Sequence, residues 1–113
     1  MSKRKSTSFP ERDWRYLSRL KPIALERLCQ RILDEAQAVI ATRVEQGAYQ
    51  AYLALYDHVQ KSDRLVAHCF DHWSRSWALT HLIAWRKHHL ITDEEFAGFS
   101  EETRATVDFL LSE

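Results

Sequence analysis

The stretch "AHCFDHW", residues 67–73, gathers groups whose types and spacing could do chemistry. His68 and His72 stand four apart, and an i, i+4 histidine pair on a helix can hold one metal ion, with Asp71 as a further ligand. His68, Asp71 and His72 are therefore the candidate metal set. The pattern is sparse beyond that. The metalloprotease form places Glu directly after the first His, where this chain has Cys69. A di-iron bundle needs Glu-x-x-His twice, and the chain has it nowhere. A solvated, ion-paired helix face made of His68, Asp71, His72 and Arg75 accounts for the same residues without a ligand.

A second group lies near the N-terminus. Arg12, Arg15 and Arg19 follow one another at i, i+3, i+7 with Trp14 and Tyr16 between them. Basic residues interleaved with aromatics can hold single-stranded nucleic acid through phosphate contacts and stacking, so Arg12, Trp14, Arg15 and Arg19 are the alternative, nucleic-acid set. Helix-turn-helix reading would instead need a compact pair with a basic second helix, and the only such pair, 93–111, is acidic. The cations of "RKHH" (86–89) suit a helix C-terminus, where the dipole favours positive charge. Tyr49, Tyr52 and Tyr56 read as a packing stripe with hydroxyls at its rim. No serine elbow or Gly-rich phosphate loop is present, nothing points to an enzyme, and no cofactor is expected.

These residues need elements to position them. With two glycines and two prolines in 113 residues, a β-rich domain would lack its turns, so the chain should be all-α and one domain. Residues 1–8 read as a disordered basic tail, followed by a single helical domain over 9–113. Short helices are expected over 9–20, 93–98 and 100–111, and three main helices over 22–43, 48–61 and 63–89. Pro22 opens the first of the main helices, Gly47 marks the break after it, and "KSDR" (61–64) stops and restarts the chain. Arg31 and Glu35 are spaced as an i, i+4 ion pair. Thr92 and Glu95 make a capping box, and Ser100 begins the last helix.

The long helix expected over 63–89 carries the clearest demand. Val66, Cys69, Phe70, Trp73, Trp77 and Ala84 make one side apolar, yet Ala78, Leu79, Leu82 and Trp85 make the other side apolar too. A helix with one wet face has no use for both. Either the stretch runs through a thick aromatic core of a monomer, or its second side meets another subunit; a homodimer is the economical expectation, with Trp73, Trp77, Leu82 and Trp85 at the interface and another protein as its eventual partner.

Charge is zero overall but polarised. Residues 1–31 hold nine Lys/Arg against three acids, and residues 93–113 hold seven acids against Arg104. Docking of the basic end on the acidic end is favoured over strong nucleic-acid binding. Cys29 and Cys69 fit reduced thiols on apolar faces. No signal peptide opens the sequence, and no window is long and apolar enough for a membrane span, so a cytoplasmic location is expected.

The segments "ERDWRYLSRLKPIALERLCQRIL" and "LITDEEFAGFSEETRATVDFLL" resemble a group of small uncharacterised bacterial all-helical proteins. The carriers are Glu11, Asp13 and Trp14, the "LERLC" run 25–29, and the runs "TDEEF" and "FSEET" between 92 and 103. The resemblance implies a stand-alone helical domain and brings no activity, cofactor or partner with it.

Overall fold

The computed structural model describes residues 9–113, and the tail expected over 1–8 lies outside the described residues. All regular structure among them is helical: α1 (Glu11–Ala41), α2 (Arg43–Gln46), α3 (Ala48–Phe70), a 3-10 turn (Arg75–Trp77), α4 (Ala78–Lys87), α5 (Asp93–Phe96) and α6 (Glu101–Leu111). Among the described residues no helix is long and apolar enough to cross a membrane.

Two boundaries differ from expectation, each for a physical reason. The break at Pro22 does not occur, and one 31-residue helix runs through it. Proline removes a backbone donor and crowds the preceding turn, at a cost of about 3 kcal/mol in a helix interior. Pro22 sits on the exposed side, while Leu17, Leu20, Ala24 and Leu28 bury one stripe across it. Packing of that stripe outweighs the local cost.

The second difference reverses the expected "KSDR" stop. α3 continues through Lys61–Arg64, because Leu65, Val66, Cys69 and Phe70 beyond it pack on the core. The chain breaks instead at 71–74, inside the helix expected over 63–89. Asp71 turns extended, and His72 adopts φ 59°, a left-handed conformation that few side chains other than Asn, Asp and His tolerate. His68, Asp71, His72 and Arg75 therefore do not share a helix face.

The capping box forms as the sequence predicts: Thr92 Oγ1 accepts from the Glu95 amide at 3.0 Å, and the Glu95 carboxylate accepts from the Thr92 amide at 2.8 Å. Ser100 caps α6. Arg31 leaves Glu35 and donates to the carbonyls of His88 (2.8 Å) and His89 (3.2 Å), because the end of α4 presents free acceptors beside it.

The molecule measures 62 × 27 × 26 Å. Its core occupies one end, where the first half of α1, the end of α3, and α4–α6 enclose Leu17, Leu28, Leu82, Trp85, Phe99 and Val107. Beyond Ile32 only α2 and α3 accompany α1, as an antiparallel two-helix arm turned at Gly47 (φ 95°, ψ 159°), a conformation open to glycine alone.

Candidate functional site: a histidine cavity, an arginine cleft and an apolar arm

The break at 71–74 folds Trp73 inward. Its ring stacks on Trp85 (5.9 Å) and His81 (5.3 Å), meets Trp14 at a tilt of 33° (5.4 Å), and has the Lys21 ammonium 4.4 Å from its centroid. Trp85 donates its indole N–H to the Cys69 carbonyl at 3.0 Å. Leu82 and Trp85 are 0% exposed and belong to the chain's own core. The reason is the break itself, which turns α4 back against α3 and α6 and covers the second apolar side from within. Of the four residues expected at an interface, Trp73 is half-buried and Trp77 alone stays open, stacked on His72 at 5.6 Å.

His68, Asp71 and His72 line one cavity of about 470 Å3 with Arg64, Trp77, Thr80 and His81. His81, which belongs to no sequence motif, is 1% exposed, and neither of its ring nitrogens has a hydrogen-bond partner among the described residues. Burial lowers its pKa below the usual histidine value, against the opposing pull of the carbonyls of His72, Asp71 and His68. Among the described residues no group of three or more His, Cys, Asp or Glu side chains is arranged to hold a metal ion.

The arginine group lines a different cleft, of about 430 Å3, formed by Arg12, Arg15, Tyr16, Arg19 and Gly98. Trp14 is not part of it, because its ring packs on Trp73. Tyr16 donates its hydroxyl to the Glu95 carbonyl at 2.7 Å and meets Phe99 edge-on. Neither aromatic is free to stack on a base.

This end of the molecule is fastened to the acidic C-terminal helices. Asp13, fully buried in α1, accepts from the Ser100 amide (2.9 Å), the Ser100 hydroxyl (2.6 Å) and the Thr103 hydroxyl (2.6 Å). One carboxylate thus satisfies donors at the start of α6, where the helix dipole also favours negative charge. Burial works to raise the Asp13 pKa, but the hydrogen bonds from Ser100 and Thr103 hold it below the usual carboxylate value. Arg27 grips Glu95 through two bonds of 2.7 and 3.0 Å, which is the first cause of the lowered Glu95 pKa.

The arm carries what the sequence reading undervalued. α3 packs on α1 through Ala51, Leu55 and His58, the last meeting the Ile32 carbonyl at 3.0 Å. Tyr49, Tyr52, Leu53, Tyr56 and Val59 occupy a second face, and the three tyrosines are 69%, 64% and 59% exposed. They are not a core stripe. Leu33, Ile40 and Val44 are exposed as well, and Ile40 lines one groove with Tyr52 near the arm's tip. The signal was present in the sequence: α3 has apolar residues at two helical phases, and one antiparallel neighbour can cover only one of them.

No family model, curated protein or solved structure matches the chain.

Proposed function

We propose that the chain is a non-enzymatic helical protein that self-associates as a dimer and acts through protein–protein contact, with the two-helix arm as its surface. The supporting observation is the run of eight exposed apolar side chains from Leu33 to Val59. Together they leave on the order of 900 Å2 uncovered, against roughly 800 Å2 per partner in a standard stable interface. Ile40 of α1 and Tyr52 of α3 line one groove, so the exposed faces of the two helices adjoin near the arm's tip.

None of the eight carries a formal charge, and three are tyrosines, a residue enriched at interfaces. Two arms related by a two-fold axis would form a four-helix bundle, burying each stripe against its copy. The tryptophans expected to supply that contact are replaced in this reading by the tyrosines, because the core already uses Trp73 and Trp85.

The test is Tyr52→Glu combined with Tyr56→Glu, followed by light scattering during size exclusion. The expected result is a dimer in the parent chain and a monomer of unchanged helicity in the variant. A parent that elutes as a monomer at every concentration contradicts the reading.

A further inference from the structure

From the arginine cleft we infer that the head binds a compact polyphosphate group, a chain of two or three phosphates, at Arg12, Arg15 and Arg19. This stands apart from the arm and does not rest on it. Arg12, Arg15 and Arg19 line one cleft of about 430 Å3, and among the described residues no acidic residue lines it with them. Each is held in place by a different neighbour. Arg12 donates to the Gly98 carbonyl at 2.9 Å, Arg15 lies 3.4 Å from Glu11, and the Arg19 guanidinium sits 5.6 Å over the Tyr16 ring.

The anchoring leaves charge in excess. Glu11 is shared between Arg15 and Arg75, the second at 2.8 Å, and Asp13, which Arg12 meets at 3.2 Å, also accepts from Ser100 and Thr103, so Arg12, Arg15 and Arg75 share two carboxylates. Arg19 has no acid partner within ion-pair distance among the described residues. Three exposed guanidiniums on one face concentrate positive potential there, and guanidinium forks match phosphate oxygens in geometry.

The backbone positions i, i+3 and i+7 extend over roughly 10 Å of helix, a length that a chain of phosphates matches along its own axis. The floor is close-fitted: Gly98 lies under the Tyr16 ring, and a Cβ there would overlap the Tyr16 hydroxyl. With Tyr16 and Trp14 both engaged in packing, the cleft offers phosphate contacts without a base-stacking platform. That favours a polyphosphate group over single-stranded nucleic acid.

Titration calorimetry of the full chain at low salt tests this, with inorganic triphosphate, adenosine triphosphate and single-stranded oligothymidylate as probes. The expected result is saturable binding of inorganic triphosphate at one site per chain, weakened about tenfold by Arg15→Gln or Arg19→Gln and weakened by added salt. Arg43→Gln, at the far end of the arm, should leave it unchanged. Equal affinity for the two triphosphates would assign the inorganic chain as sufficient, and tighter binding of the adenosine form would assign a nucleotide as its source. The proposal is overturned by no binding, by equal weakening with Arg43→Gln, or by oligothymidylate binding more tightly than triphosphate.

Discussion

At the scale of single residues, two buried ionisable groups, Asp13 and His81, each tie part of the head's stability to pH. Asp13 has a depressed folded pKa, so its contribution is present above the unfolded value near 3.8 and is lost as pH falls through the folded value. Removing its carboxylate leaves the Ser100 amide and the Thr103 hydroxyl without their acceptor. Asp13→Ala should therefore cost about 3 kcal/mol of unfolding free energy in urea titrations at pH 7, with the difference from the parent shrinking below pH 4. His81 acts at higher pH. Its folded pKa lies below the unfolded value of 6.5, so the unfolded chain takes up the proton first. Stability should be full above about pH 6.5 and decline as pH falls below it, and His81→Phe should flatten that decline in thermal melts recorded from pH 7 to pH 5. Neither role was visible beforehand. An aspartate in a first helical turn reads as a dipole partner, and His81 reads as an interruption of an apolar window; only the fold shows that both are sealed in.

At the scale of elements, the 71–74 break organises the head. It places Trp73 between Trp14, Trp85 and His81, and it turns α4 onto α3 and α6. His72 pays a conformational cost at φ 59°, so His72→Gly should raise the thermal midpoint, by up to about 1 kcal/mol of stability, if the loss of its stacking on Trp77 is small. Gly98→Ala should act in the opposite sense. Tyr16 is pinned by Glu95 and Phe99 and cannot withdraw, so the added methyl should destabilise by about 1–3 kcal/mol in the same melts. Helical class, the Gly47 turn, the Thr92–Glu95 box and the Ser100 cap were legible, because each rests on local chemistry within four residues. Pro22 and "KSDR" misled for one reason: both are local breakers overridden by burial on either side. The 71–74 break was hidden by the reverse case, since the apolar pattern ran on through residues that tertiary packing bends apart.

At the scale of the whole molecule, the sequence holds more apolar surface than its expected helices cover, and the structure leaves that surface at a different place. Leu82, Ala84 and Trp85 are buried within the chain, and Trp77 alone of the expected interface residues stays open. The uncovered surface is on the arm, where α1 and α3 each keep a second apolar phase and have only each other. Tyr49, Tyr52 and Tyr56 looked like core because their spacing is that of a core stripe; spacing records an apolar phase, not whether a neighbour covers it. The polarised charge was a sounder guide, since the basic α1 and the acidic α5–α6 region do meet, through Arg27–Glu95 and Arg12–Gly98. The most direct test of the arm as a pairing surface is a native mass spectrum of the full chain, recorded across a range of protein concentrations. The account predicts a species at twice the 13.4 kDa chain mass that disappears when Tyr52 and Tyr56 are both changed to Glu. A single-chain mass at every concentration, or a dimer indifferent to those two substitutions, would contradict it.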